Sequence, residues 1–156
     1  MERPNASSIK KGDFVILEER PCRIIDFKHS KVGKHGVAKT KLDGIDCIDG
    51  SKHIVLFAGD PRIYKFLPIK RTLQLINIKD EQKYINIECF DEEANPITLD
   101  INENSRKIIN DNKIRVSNIN KTFYANTITV PVPKANNKDN DYEFDYETII
   151  DSFTEE

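Results

Sequence analysis

Short runs in which apolar and polar residues alternate recur along this chain, separated by turn-forming residues. The clearest run covers residues 84–89, where isoleucine, isoleucine and cysteine occupy every second position. A period of two places alternate side chains on opposite faces of a strand, so each run predicts a half-buried strand. Because the first part of the chain shows no helical periodicity of useful length, the pattern predicts an all-β fold.

Glycine and charge are both distributed unevenly, and both divide the chain near residues 68–71. All six glycines precede residue 60. Residues 1–70 carry 14 lysines and arginines against 9 acids, whereas residues 71–156 carry 10 against 17. We therefore expect two domains, 1–70 and 71–156, of which the basic first domain is the better suited to meet a polyanion.

Each domain is expected to be a small barrel of short strands. In the first domain the predicted strands cover residues 13–18, 22–27, 37–42, 53–57 and 63–67. In the second domain they cover residues 73–78, 84–89, 97–101, 113–116 and 127–130, a number and spacing that suit an OB-fold.

The end of the chain is expected to be acidic and helical. Pro131 should end the last strand, because proline cannot donate to a strand ladder. Residues 142–153 are expected to form a terminal helix, since four apolar side chains recur there at roughly helical spacing: Phe144, Ile149, Ile150 and Phe153. Residues 105–109 fit either a short helix or irregular structure.

No residue pattern indicates a metal site, a disulfide framework or a catalytic group. The three cysteines, Cys22, Cys47 and Cys89, are odd in number and widely spaced, so each is expected to be a small buried hydrophobe. The aspartates near Gly44 and Gly50 fit ordinary turns better than a cation site. Without an apolar segment of about 18 residues, a membrane span is not expected, and the protein should be cytoplasmic.

The most unusual segment is residues 28–41, which hold five lysines, two histidines and no acid. The segment joins two predicted strands and should therefore be a hairpin loop. Glycine accepts positive φ readily, so Gly33 and Gly36 would allow tight turns on either side of Lys34 and His35. We expect these two residues at the tip of the loop.

Three interpretations of this loop follow from its residues. It could be a solvated basic loop, since charge runs usually face water. Its lysines could bind phosphates. The spacing of Gly33 and Gly36 also fits the Gly-x-x-Gly clamp of KH domains, although that clamp joins helices and the flanking segments here are predicted strands.

The segment Lys31-Val-Gly-Lys-His-Gly-Val-Ala-Lys39 resembles the hypusine loop of the eukaryotic translation initiation factor 5A family, whose pattern is Lys-Thr-Gly-Lys-His-Gly-His-Ala-Lys. The resemblance is continuous over about residues 10–78 and includes the segments around Gly12, Gly44 and Leu73. Beyond residue 90 it is a resemblance of pattern only, and residues 102–126 are longer than is usual in the family. Val32 and Val37 replace a threonine and a histidine of the family pattern.

The resemblance implies a fold and a modification. The fold would be an SH3-like barrel followed by an OB-fold barrel with a short terminal helix. Lys34 would be the lysine that receives an aminobutyl group from spermidine through deoxyhypusine synthase, which uses NAD, before deoxyhypusine hydroxylase completes hypusine. The protein would then be the substrate of this chemistry and not an enzyme, with no cofactor of its own.

The resemblance also implies partners. The protein would be an elongation and termination factor that binds the ribosome near the exit site, with modified Lys34 steadying peptidyl-tRNA. The residues expected to contact RNA are Lys31, Gly33, His35, Gly36 and Lys39. The protein would be a monomer or weak dimer without a membrane partner. Because Val32 and Val37 depart from the pattern, an unmodified divergent paralogue that binds RNA or a protein is the alternative.

Overall fold

The computed structural model describes residues 1–30, 37–134 and 142–156. These residues form two compact units. The first unit comprises Met1–Leu67 with the described part of Pro131–Asp145, and the second comprises Pro68–Val130 and Tyr146–Glu156. The chain therefore returns to the first unit after completing most of the second, a return that the sequence did not indicate.

The first unit contains a five-stranded antiparallel sheet within the described residues. Its strands are β1 (Phe14–Leu17), β2 (Arg20–Ser30), β3 (Lys39–Asp46), β4 (Lys52–Ala58) and β5 (Lys65–Phe66), in the order β4-β3-β2-β1-β5. All five correspond to predicted strands, and the all-β expectation for this half is confirmed. Sequential neighbours pair, except that β5 returns to pair with β1.

The turn between β1 and β2 is the shortest that a hairpin allows. Leu17 pairs with Arg20, so only Glu18 and Glu19 connect the strands. Both have positive φ, of 50° and 63°, as a two-residue turn matched to the twist of the strands requires. Side chains from β1, β2 and β3 then form the core with residues before β1, including Ile9, which is 1 % exposed.

Gly44 marks a close approach between β3 and its neighbours. A Cβ atom at this position would lie 2.9 Å from Cys22 Cβ and 3.0 Å from Leu17 Cδ1. Those distances are too short for real carbon contacts, so the packing of β3 onto β1 and β2 depends on the absent side chain.

The second unit is also built on a five-stranded antiparallel sheet in its described residues. Its elements are β6 (Ile69–Asp80), β7 (Ile85–Phe90), β8 (Pro96–Ile101), helix α1 (Arg106–Val116), β9 (Phe123–Pro133) and β10 (Phe144–Glu155). The strand order is β10-β9-β6-β7-β8, with the first strand of the unit at the centre. Its core includes Leu73, Ile87 and Ile109, each at most 1 % exposed.

Helix α1 corrects one predicted strand. Residues 113–116 were expected to be extended but form the last turn of α1, and residues 106–109 form its start, after Ser105 at the N-cap. Four alternating residues are too few to distinguish a strand from a helix face. Ile109 is buried in the core with Ile108 and Val116 packed against it, a spacing that only a helix brings to one face.

The predicted terminal helix is wrong: residues 144–155 form strand β10. Cross-strand contacts with β9 explain this, since Thr129 and Thr148 are joined by a 2.8 Å hydrogen bond between their hydroxyls. Pro131 does not end β9 either, because the strand reaches Pro133. The pairing of β9 with β6 ends at Thr129, so the missing amide of Pro131 interrupts no bond to β6.

Candidate nucleic-acid interface at the β2–β3 hairpin

Strands β2 and β3 lie on either side, along the chain, of the segment that the sequence predicts to be functional. Its last three cross-strand pairs are Lys28 with Lys41, His29 with Thr40 and Ser30 with Lys39. The predicted site residues Lys31, Gly33, Lys34, His35 and Gly36 lie outside the described residues, and their roles stay predictions. Lys39 lies within them, exposed at the start of β3.

One face of this hairpin stem is basic. Residues paired across an antiparallel ladder share a face, so Lys28, Lys39 and Lys41 lie on the same side of the sheet. The Nζ atom of Lys41 lies 3.6 Å from Asp43 Oδ1. Within the described parts of the chain, Lys28 and Lys39 form no ion pair with a carboxylate. Their charges are therefore available to a phosphate-bearing partner.

The opposite face of the stem fixes its geometry. The Nδ1 atom of His29 lies 3.1 Å from Thr40 Oγ1, and Thr40 is 2 % exposed. The ring of His29 also lies 5.1 Å from that of Phe27, measured between centroids. Since these contacts occupy His29, the stem presents lysines on one face and structural contacts on the other.

Lys28 and Lys41 were not expected among the RNA-contacting residues. The strand register places them on the same face as Lys39, because residues two positions apart along a strand share a face. The signal was present in the sequence as lysines at positions 28, 39 and 41, but it has this meaning only once the pairing is known.

Asp46 secures the end of β3 that is distant from this stem. Its carboxylate is fully buried and accepts hydrogen bonds from Arg20 Nε at 2.6 Å and Nη2 at 3.2 Å. The amides of Ile48 and Asp49 also donate to it, at 2.8 and 3.1 Å. The hydrogen bond with Asp46 raises the pKa of Arg20, against the opposing effect of burial. Asp46 is therefore a structural residue of the turn after β3, as its place near Gly44 and Gly50 suggested.

The described residues offer no obvious reactive centre. Among them, no group of three or more histidine, cysteine, aspartate and glutamate side chains is placed to hold a metal ion. Burial raises the pKa of Cys22 to about 12 and that of Cys47 to about 11, with a further contribution from the charge of Asp46. Burial also raises the pKa of Cys89. These thiols stay protonated near neutral pH and are poor nucleophiles.

The chain is similar to known proteins over its first part. Residues 2–58 match the model of a family described as "Translation initiation factor 5A-like, N-terminal". Translation initiation factor 5A of Methanocella arvoryzae is 39 % identical over 77 residues, which cover 49 % of this chain and 60 % of that protein. The protein of the same name from Methanospirillum hungatei is 27 % identical over 103 residues, covering 65 % of this chain and 81 % of the relative.

Solved structures extend the similarity of fold to nearly the whole chain. A translation initiation factor eIF-5A family protein from Naegleria fowleri superposes with a TM-score of 0.69 at 20 % identity, covering 94 % of this chain and 97 % of the other. Eukaryotic translation initiation factor 5A from Methanococcus jannaschii gives a TM-score of 0.60, also at 20 % identity, covering 98 % and 94 %.

Two antiparallel sheets in succession, the first with a basic hairpin stem, agree with the fold of these solved structures and with the match of residues 2–58 to the N-terminal family model. Over residues 2–58 the chain is similar to the N-terminal part of translation initiation factor 5A, and its fold is that of the solved structures of this kind.

The match to these relatives is partial. The chain spans about three fifths of the length of the first curated relatives that it matches, with shares of 60 %, 57 % and 58 % for three archaeal proteins. Helices in the described ranges are too short or too polar to cross a bilayer.

Proposed function

We propose that this protein is a cytoplasmic elongation and termination factor that binds the ribosome near the exit site through its first unit, and that Lys34 carries hypusine. The observation that carries the proposal is the hairpin stem, whose exposed Lys39 and Lys28 share one face directly beside residues 31–36. The family match over residues 2–58 includes that segment.

The proposed action depends on reach and charge. Lysine is a compact ammonium on a four-carbon stem, and hypusine adds a second amine on a longer, hydroxylated arm. An arm with two cationic amines can enter a narrow, phosphate-lined channel that excludes a folded domain. There it would steady the acceptor end of peptidyl-tRNA and so promote peptide-bond formation. Lys31 and Lys39 would meet neighbouring phosphates.

The remaining loop residues would contact RNA or allow it to approach the backbone closely. His35 could stack on a base or donate a hydrogen bond. Gly33 and Gly36 lack side chains, which lets a backbone and its partner approach closely. Deoxyhypusine synthase would transfer the aminobutyl group of spermidine to the Nζ atom of Lys34 with NAD as its cofactor, and deoxyhypusine hydroxylase would act next.

Val37 supports a second candidate, an unmodified paralogue that binds RNA or a protein. Its side chain is 58 % exposed, at a position where the family pattern has histidine. An exposed apolar group in place of an imidazole removes a hydrogen-bonding group near Lys34. The two candidates differ in one measurable property, the chemical state of Lys34.

The test is the mass of the protein from its native source, with peptide mapping across Lys34. We expect the mass increase of hypusine on that residue. Incubation of the recombinant protein with deoxyhypusine synthase, NAD and labelled spermidine should also label wild type and the Lys39→Arg control, but not Lys34→Arg. Plain lysine at position 34 in functional native protein would favour the paralogue.

Function is tested with the same pair of variants. Lys34→Arg keeps the charge but loses the acceptor amine, so it should fail to support synthesis of a reporter with consecutive prolines. Lys39→Arg should retain most activity, because arginine also binds phosphate. Thermal unfolding should be unchanged in both. A fully active Lys34→Arg, or one that unfolds at a much lower temperature, would contradict the proposal.

A further inference from the structure

The second unit carries a groove that the proposed function does not use. It has a volume of ≈ 600 Å³ and lies between the end of β6, the last turns of α1 and the turn that leads into β9. Its floor is apolar and includes Leu75, Ile78, Ile109, Val116 and Phe123. Apolar side chains beneath a polar rim, in a volume of a few hundred Å³, can accept a ligand that has both apolar and polar groups.

Two isoleucines expose large apolar surfaces on this groove. Ile119 is 96 % exposed and Ile76 is 46 % exposed, and both line it. Ile76 lies where the register of β6 with β7 shifts between Leu75 and Asn77, so a bulge accompanies its exposure. Isoleucines that contribute nothing to the core at such positions indicate a partner that extends over the rim.

The rim is basic although the domain is acidic. Lys79, Lys113 and Lys121 line the groove. Lys79 Nζ lies 2.7 Å from Glu88 Oε1, and Lys121 Nζ lies 3.1 Å from Glu155 Oε2. Both ion pairs are exposed, so a carboxylate of a partner can replace either glutamate at little cost in free energy. No ion pair involves Lys113 among the described residues.

The carboxylates at the groove are fewer and partly occupied. Of Asp80 and Glu81, which line it, Asp80 is bound by the guanidinium of Arg106. Three lysines against two carboxylates give the lining a small positive excess, whereas residues 71–156 together carry 10 basic against 17 acidic side chains. Such a rim favours anionic partners over cationic ones.

We propose that this groove is a docking site for a short acidic peptide segment of a partner protein. Bulky apolar side chains of the segment would pack on the floor and against Ile119 and Ile76, while its carboxylates would meet the lysines. An apolar floor suits aliphatic and aromatic side chains better than a phosphate backbone, which distinguishes this partner from RNA. The site goes beyond the proposed function and does not depend on Lys34.

The test is a random peptide library displayed on phage and selected against the full chain. We expect enriched peptides that combine several acids with leucine, phenylalanine or similar side chains. A synthetic copy of such a peptide, followed by fluorescence polarisation, should bind more weakly as salt is raised, because the rim contributes charge. Failure to enrich any peptide, or enrichment of basic ones, would overturn the proposal.

Substitutions then locate the site. Ile119→Ser and Ile76→Ser should each weaken binding at least about tenfold, since each removes an apolar anchor from the contact. Lys113→Glu should also weaken it. The matched control is Ile114→Ser. Ile114 is 90 % exposed on α1, the helix that carries Lys113, but does not line the groove. All four variants should retain the thermal unfolding of wild type.

Three further results would assign the groove elsewhere and overturn the proposal. One is equal affinity of the peptide for wild type and for Ile119→Ser. Another is binding of single-stranded RNA that Ile119→Ser and Lys113→Glu abolish. The third is self-association in sedimentation experiments that Ile119→Ser abolishes, which would make a second copy of the chain the occupant.

Discussion

At the scale of single residues, Asp46 is a buried charge whose removal should lower the free energy of unfolding. Its carboxylate is fully buried and binds both Arg20 and the turn after β3. We expect Asp46→Ala to lower the free energy of unfolding by about 2–4 kcal/mol, because it leaves a guanidinium and two amides without their acceptor. Urea unfolding measures this loss.

Asp49 provides the control for that substitution. Its carboxylate lies 4.0 Å from Arg20 Nη2 and is 42 % exposed. Hydrogen bonds from Ser51 lower the pKa of Asp49, yet an exposed partner of this kind contributes little. Asp49→Ala should therefore cost less than about 1 kcal/mol. Equal losses in the two variants would show that burial of Asp46 is not what makes it important.

At the scale of elements, β10 is bonded to the turn before α1 through the Asn102 amide, which donates to the Thr148 carbonyl at 2.8 Å, and through a buried bond to Ser105. The amide of Ile150 donates to Ser105 Oγ at 3.0 Å, and Ser105 is 2 % exposed. Ser105→Ala leaves this amide without an acceptor, so we expect a loss of about 1–3 kcal/mol in urea unfolding. Ser117→Ala, which removes an exposed hydroxyl from the other end of α1, should change stability by less than about 0.5 kcal/mol.

The same elements show what the sequence could and could not predict. Strands such as β7 alternate strictly and were predicted almost to the residue, because one face is buried and the other is not. In β10 the exposure pattern is irregular, with Ile150 and Phe153 buried three positions apart, so its apolar residues imitate a helix. Only pairing with β9 makes this segment a strand.

The candidate site was likewise only partly predictable from the sequence. Composition and glycine spacing marked residues 28–41 without any knowledge of the fold. The shared face of Lys28, Lys39 and Lys41 required the register of β2 with β3. The groove beside α1 could not be anticipated, since Ile76 and Ile119 look like core residues until the chain is folded.

At the scale of the whole molecule, the cysteines report on the two units separately. Cys22 lies in the core of the first unit and Cys89 in that of the second. Burial raises both thiol pKa values, that of Cys22 to about 12, so little thiolate exists at mildly alkaline pH. We expect a disulfide reagent to modify them slowly in native protein and rapidly in denaturant, with mass spectrometry identifying each site.

The modification rates of the two thiols, compared with each other, show whether the two units open independently. If the units open independently, Cys22 and Cys89 will be modified at different rates as urea is added, and Cys22→Ser will leave the rate at Cys89 unchanged. Rapid modification of either thiol without denaturant would contradict its burial in the structure.

The strand orders have a consequence for the speed of folding. In the first unit β1, β2, β3 and β4 pair with their neighbours in the chain, so this four-stranded part needs only short loops to close, and only the two-residue strand β5 must return to β1. In the second unit β6 must find β9, with Ile69 opposite Thr129 and two strands and a helix between them in sequence. Contacts between distant residues slow folding, because chain entropy is lost before the contacts form. Refolding should therefore show two kinetic phases, the slower one belonging to the second unit.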